Sequence, residues 1–407
     1  MKAAVPLCLL WLACAGCVRV HDEPAADAAR PVHVNGTLRV ATYNTSLYDD
    51  AASGLVRRLE AGDDRARRIA AVLQRVRPDI VLLNEFDHDS AHRAADLFQR
   101  DYLEQAQPGG GAPLRYPHRY LAPVNTGVPS GLDLDRSGAV GGVGRDHGND
   151  AWGYGLHPGQ YGMLVLSRHP IDAAAARTFQ RLKWSAMPDA ARPVDPDSGA
   201  PFHPDATWAQ LRLSSKSHWD VPIRVPGGTL HLLASHPTPP VFDGPEDRNG
   251  ARNADEIRLW REYISAGDQP WLCDDAGRCG GLEAGARFVI VGDLNNDPLD
   301  GDGRHEAIVD LLGHPRVLRQ APSRSEGAIG AAAKYAAEGI AHRDAAAHAT
   351  GDFGDRVGTL RLDYVLPSTG LRLAGSGVYW PESTTPAGAL VTASDHRLVW
   401  VDVAIEP

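Results

Sequence analysis

The chain is poor in methionine and has no basic excess. Only three Met stand beside nine Trp in 407 residues, so a packed interior must rely on Leu, Val, Ile and Trp. Lys and Arg total 41 against 51 Asp and Glu, a formal charge of −10. That balance excludes a protein that coats nucleic acid by bulk positive charge. It does not exclude nucleic acid as a substrate, because a bound divalent cation supplies positive charge locally. There is no internal repeat, and no linker-like stretch interrupts the chain beyond residue 37. The 42 Gly and 30 Pro are too dispersed for collagen or a low-complexity array, and read instead as many ordered turns. Coiled coils, membrane bundles and intrinsic disorder are thereby excluded, and one large mixed α/β domain is the economical architecture.

The apolar run from Ala3 to about Ala15 follows Met1-Lys2 and is too short to span a bilayer. It has the charge, apolar stretch and small residues of an export signal. Ala15-Gly16-Cys17 resembles a bacterial lipobox, although Cys14 stands where that motif usually has Leu. The expectation is a signal segment over 1–17, lipidation at Cys17 or plain export, and a disordered linker over 18–36. Location would be the periplasm, the cell envelope as a lipoprotein, or the exterior. Cys273 and Cys279 bracket Asp-Asp-Ala-Gly-Arg, and no second Cys/His pair lies at zinc spacing nearby. In an oxidising compartment a small disulfide loop is expected.

Seven segments read as strands, each rich in Val, Leu, Ile or Tyr and bounded by Gly, Pro or Asp. They are Leu38–Asn44, Asp79–Phe86, Tyr161–Ser167, Thr229–His236, Arg287–Leu294, Arg361–Pro367 and Leu398–Ile405. Helical spacing appears over Asp64–Val76, Asn253–Ile264 and His305–Leu312. The glycine-rich stretch from Gly109 to Gly159 reads as a long functional loop.

The informative pattern lies where these strands end. Asn44, Glu85, His236, and Asp293 with Asn295 each close a hydrophobic run, Asp363 sits in Arg-Leu-Asp-Tyr-Val-Leu, and Asp395-His396 precede the last strand. One such residue is ordinarily a turn or cap; six strand ends of this kind point to a ligand site. Asn44, Glu85 and Asp395 are hard oxygen donors suited to Mg²⁺, Mn²⁺ or Ca²⁺. Asp293 suits the orientation or deprotonation of water, Asn295 donation to a phosphoryl oxygen, and His236 and His396 acid/base work or an anion clamp. Together they describe metal-assisted hydrolysis of a phosphoester.

Gly292-Asp293-Leu294-Asn295, Asp363-Tyr364 and Ser394-Asp395-His396, in this order, resemble the signature of the endonuclease/exonuclease/phosphatase superfamily, from Thr37 to Ile405. The resemblance implies a single-domain, four-layer α/β sandwich over 37–407, with two mixed sheets face to face, helices outside and the site at one end. It implies a divalent metal, Mg²⁺ or Mn²⁺, held chiefly by Glu85 with Asn44 and Asp395. His396 would pair with Asp363 and contact the scissile phosphate, Asp293 would handle the water and Asn295 would bind phosphate. His236 takes the position of a phosphate-contacting residue. Ser46 stands where some members have Asp, which disfavours a second metal near Asn44.

Specificity belongs to the loops. The proline-stiffened run His236–Asn249 offers Arg248 and Asn249 to substrate or to brace the loop. Lys216 in Ser214–Trp219 is either a phosphate ligand or part of a solvated hairpin tip. Asp133-Leu-Asp135-Arg-Ser137-Gly138 opens like a calcium loop but carries Gly144 at the twelfth position instead of Glu. A looser structural Ca²⁺ site near Asp133 and Asp135 is the remaining form. Asp297, Asp300 and Asp302 form a further acidic turn. The expected partner is a phosphoester, either a nucleic acid or a small phosphate ester, acted on by a monomer with no obligate protein partner. The competing reading from another class is an envelope binding module without catalysis.

Overall fold

Among the described residues of the computed structural model, thirteen strands run β1 (Leu38–Leu47), β2 (Ile80–Phe86), β3 (His118–Tyr120), β4 (Met163–Ser167), β5 (Arg177–Thr178), β6 (His218–Val225), β7 (Gly228–Ser235), β8 (Arg287–Asp293), β9 (Gly351–Asp352), β10 (Thr359–Leu360), β11 (Asp363–Pro367), β12 (Arg372–Tyr379) and β13 (Leu398–Ala404). The structure describes Met1, Pro31 and residues 33–265 and 267–405. The signal segment, Cys17 and most of the 18–36 linker lie outside the described residues. No helix among those described is long and apolar enough to cross a membrane.

Two mixed sheets form the centre. The first has the order β12-β13-β1-β2-β4-β3 and the second β11-β8-β7-β6-β5. In each, one parallel pair (β1 with β2, β7 with β8) is flanked by antiparallel neighbours. Side chains alternate along the strands as the pleat requires. In β8, Val289 and Val291 join the core between the sheets, whereas Phe288 and Ile290 pack outward with Ile257, Trp260 and Ile264 of the helix Arg248–Ile264. On the other side the helix Asp64–Val76 buries Ile69, Val72, Leu73 and Val76. Asp63 caps that helix by accepting from the Ala66 amide at 2.7 Å. The result is the single-domain, four-layer sandwich.

The topology decides where the site must lie. Parallel strands finish at the same edge, and the antiparallel strands beside them begin there. The C-terminal ends of β1, β2, β7 and β8 therefore meet the N-terminal ends of β11 and β13. Asp363 is the register partner of Asp293, and Asn44 of Asn84.

All seven expected strands are present, with ends shifted by a few residues. The helix at Asn253 starts earlier, at Arg248, while Asp64–Val76 and His305–Leu312 have the expected bounds. Several other elements carried no usable signal, among them β5, β6, β12 and the helix Glu326–Ala337. β6 contains Pro222, ordinarily a sign against a strand, yet it pairs along its length with β7. In β12, Gly375 and Gly377 lie beneath the indole of Trp400, and a Cβ at Gly377 would stand 2.9 Å from that ring. The helix Glu326–Ala337 is mostly small residues, so its apolar periodicity is faint. β5 is only two residues long.

Candidate functional site

Six strand ends converge on one cavity of ≈ 750 Å³ whose wall includes Glu85, His236, Asp293, Asn295, Asp395 and His396. At its floor lies the Asp293 carboxylate, 1% exposed. Oδ2 accepts from Asn44 Nδ2 at 3.0 Å and lies 3.4 Å from His236 Nε2 and 3.5 Å from His396 Nε2. Oδ1 accepts from the Asn295 amide at 2.9 Å. His396 Nδ1 is 2.9 Å from Asp363 Oδ2, which also accepts from Thr350 Oγ1 at 2.8 Å. Two imidazoles thus flank one carboxylate, and one of them is backed by a second carboxylate.

The local backbone is shaped for this. Ser46, Glu85 and Asn295 have φ of 48°, 54° and 53°, in the left-handed region that non-glycine residues seldom occupy. Gly292 at φ 155° allows β8 to approach β7, since a Cβ there would sit 2.1 Å from the Ser235 carbonyl oxygen.

Electrostatics separate the acidic groups. Burial pushes Glu85 up to about 7, and Asp395 and Asp293 add to this against His396 and Asn44. Burial also lifts Asp363 to about 6, opposed by His396. For Asp293 burial acts upward, but His396, His236 and Asn44 outweigh it and hold the carboxyl below its usual range. Burial would depress His396, yet Asp363 and Asp293 overcome it and raise the imidazole well above its ordinary value. His236 is pushed down to about 4 by burial and Lys216, against Asp293. One histidine is therefore held cationic and the other neutral.

The donor set fits a hard divalent cation. Burial, with Asp395 and Asp293 adding to it, pushes Glu85 up to about 7, and a bound cation would favour its charged form. Asp395 accepts from Ser46 Oγ at 3.2 Å, so the serine found at the departing position steadies that carboxylate. Asn44 turns its Oδ1 toward the Ser46 amide at 3.2 Å. Asp293, Asp363 and His396 bring ligand atoms within 4.8 Å of one another, but those three are already engaged with each other.

Of the remaining sequence-derived residues, Lys216, Arg248, Asn249, Asp297, Asp300 and Asp302 line the same cavity. Lys216 is buried rather than on a solvated tip, and its Nζ reaches the Pro237 carbonyl at 3.5 Å. Asn295 Nδ2 donates to that carbonyl at 3.1 Å. Arg248 pairs with Glu246, and Asn249 donates to the Val241 carbonyl at 2.7 Å, so both brace the His236–Asn249 loop while lining the cavity. Asp133, Asp135 and Asp150 gather carboxylate oxygens within 4.8 Å. Asp297 and Asp300 accept from backbone amides of their own turn and of Arg343 and Asp344. Cys273 and Cys279 form a disulfide.

Residues the strand-end pattern did not reveal complete the site. Asn84 Oδ1 accepts from the Asp293 amide at 3.2 Å, and its Nδ2 donates to the Ser235 carbonyl at 3.3 Å. Buried Glu256 accepts from the Ser215 amide at 2.6 Å, Ser215 Oγ at 3.0 Å and the Thr238 amide at 2.7 Å, fixing the segments that carry Lys216 and His236. Phe353 meets the His396 ring edge-on at 5.2 Å. Asn84 had a visible sign, its place beside Glu85; Thr350, Phe353 and Glu256 had none.

Residues 41–396 match the model of the Endonuclease/Exonuclease/phosphatase family. The chain belongs to this family. Its members are metal-dependent phosphoesterases and nucleases. No curated protein matches the chain. Among solved structures it is similar to an endonuclease/exonuclease/phosphatase from Beutenbergia cavernae, at 20% identity and TM-score 0.47, covering 91% of this chain and 72% of that one. It is also similar to sphingomyelinase C from Streptomyces griseocarneus, at 18% identity and TM-score 0.41, covering 90% and 99%. The human nocturnin catalytic domain is similar at 14% identity and TM-score 0.45, covering 93% and 98%.

Proposed function

We propose that this member of the endonuclease/exonuclease/phosphatase family is an exported, divalent-metal-dependent hydrolase of phosphodiester or phosphomonoester bonds, acting as a monomer. The observation that carries the reading is Asp293 between His236 and His396, with Asp363 behind His396. Glu85, Asn44 and Asp395 would hold Mg²⁺ or Mn²⁺. When bound, the cation would neutralise phosphate and the charge developing on the leaving oxygen.

The chain's own groups divide the remaining work. Asp293, held anionic, accepts a proton from or orients the attacking water. His396 is kept protonated by Asp363 and is placed to donate a hydrogen bond to a phosphoryl oxygen. Neutral His236 and the Asn295 amide supply further polar contacts around the same point. The intact set argues against a silent envelope module.

Export is supported by the signal-like first 17 residues and by the Cys273–Cys279 disulfide, a bond that persists in oxidising compartments. In this reading residues 1–17 direct export, with Cys17 a possible lipid anchor, 18–36 form the linker and 37–407 the catalytic domain. Structural Ca²⁺ at Asp133 and Asp135 would recruit Asp150.

The deciding experiment compares plasmid DNA, bis-p-nitrophenyl phosphate and p-nitrophenyl phosphate, with Mg²⁺, Mn²⁺ and Ca²⁺ supplied separately and Glu85→Ala as control. DNA nicking that the variant loses makes the protein a nuclease; turnover of the small esters alone makes it a phosphatase or small-molecule phosphodiesterase. Inertness toward all three with every metal overturns the reading.

A further inference from the structure

The cavity carries charge of both signs. Besides the acidic residues of the strand ends, its lining includes Arg145, Arg212, Arg248 and Arg252 with His203. Arg145, Arg212 and Arg252 have no carboxylate in salt-bridge reach among the described residues. Arg252 donates to the carbonyls of Leu213 at 2.9 Å, Trp152 at 2.6 Å and Ser214 at 3.1 Å. Arg212 donates to Asn125 Oδ1 at 2.6 Å and lies over the Trp152 ring at 4.8 Å. Arg145 is exposed, and its side chain makes no hydrogen bond or ion pair among the described residues. Arg212 and Arg252 are thus held in place by neutral partners, with Asp275 and Glu256 acting on them only through space.

His203 is the independent sign of a ligand. It is 4% exposed, lines the cavity, and its Nδ1 is buried without a hydrogen-bond partner. An orphaned buried polar atom costs stability unless something fills its valence. Burial pushes the imidazole down to about 4, and the nearby Arg248, Arg252, Arg136 and Arg192 act in the same direction.

Resting on the phosphoesterase reading, we propose that this arginine–histidine wall binds a second phosphate group of the substrate, remote from the bond that is cut. Several guanidiniums around one imidazole suit a dianion, with planar forks that match phosphate oxygens. The substrate class is then a phosphoester carrying an additional phosphate, rather than a simple monoester.

The test begins with binding in EDTA, which removes any divalent cation from the strand-end site, and the variants then separate the basic wall from His396. Inorganic phosphate is titrated calorimetrically into the full chain, beside acetate, with an Arg145→Ala/Arg248→Gln double variant and with His203→Ala. Phosphate should bind at least 10-fold more tightly than acetate and lose at least 10-fold in each variant, with thermal melting checking that the variants fold. The second arm is metal-loaded wild-type kinetics on thymidine 3′-(p-nitrophenyl phosphate) with and without a 5′-phosphate; the phosphorylated ester should have at least 10-fold higher kcat/KM. Absent phosphate binding, binding that folded variants leave unchanged, acetate binding as tightly, or equal kcat/KM for the two esters each overturns the proposal. Intact, variant-sensitive phosphate binding with no turnover of either ester would support the anion site and sink the hydrolase reading instead.

Discussion

The Asp293 backbone amide donates to Asn84 Oδ1 across 3.2 Å, joining the end of β8 in one sheet to β2 in the other at the level of the site. Asn84 is fully buried, and its amide also reaches the Ser235 carbonyl, one residue before His236. A single side chain thus sets the heights of the central carboxylate and of one flanking imidazole.

Asn84→Ala leaves a buried amide and a buried carbonyl without partners. The expected cost is about 2–4 kcal/mol of folding stability, read by urea unfolding of the folded domain. Activity should fall as well, because Asp293 and His236 lose their common anchor. An unchanged urea midpoint would show that the cross-sheet contact contributes nothing.

His396 and Asp363 act on one proton. Either His396→Ala or Asp363→Asn should lower kcat by at least ~10²-fold, with melting temperature little changed in Asp363→Asn. Because the carboxylate works through the imidazole, the double variant should cost little more than His396→Ala alone. Multiplicative losses would show that the two residues act separately.

Metal removal should abolish turnover, and added Mg²⁺ or Mn²⁺ should restore it. Glu85→Gln keeps the size of the side chain but removes its charge, so it should raise the metal concentration for half-maximal rate by at least ~10-fold. Full activity in EDTA would remove the assigned role of Glu85, Asn44 and Asp395.

Acid sensitivity follows from a histidine away from the reacting groups. His218 Nε2 donates to the Glu256 carbonyl at 2.9 Å and its Nδ1 accepts from Ser214 Oγ at 2.7 Å. Burial pushes the ring down to about 4, partly offset by that carbonyl. The unfolded imidazole titrates near ~6.5, so between 6.5 and 4 the unfolded chain holds a proton that the folded chain rejects. Stability from this group is complete above ~6.5 and declines as pH falls toward 4, on the order of 3 kcal/mol in all. His218→Gln should flatten unfolding free energy against pH by about one proton over that window. A slope identical to that of the parent chain would refute the assignment.

The sequence determined the strand cores, the two sharply bounded helices and the candidate residues at the strand ends, because each depends on local pattern. Runs of Val, Leu and Ile mark strands, 3.6-residue spacing marks Asp64–Val76, and polar residues just past a strand need a reason to be there. The same locality hid β6 and β12: Pro222 is tolerated because its backbone faces away from β7, its carbonyl accepting from the Asp172 amide, and Gly375 and Gly377 lie under Trp400. It also left Lys216 with two readings, since burial is a property of what packs over a residue. Only the tertiary structure decided that six strand ends share one cavity, that Asn84, Thr350 and Glu256 hold its walls, and that arginines and carboxylates line it together. Those relationships join residues up to 350 positions apart, and no local pattern specifies them: sheet register and the stacking of the two sheets bring them into contact.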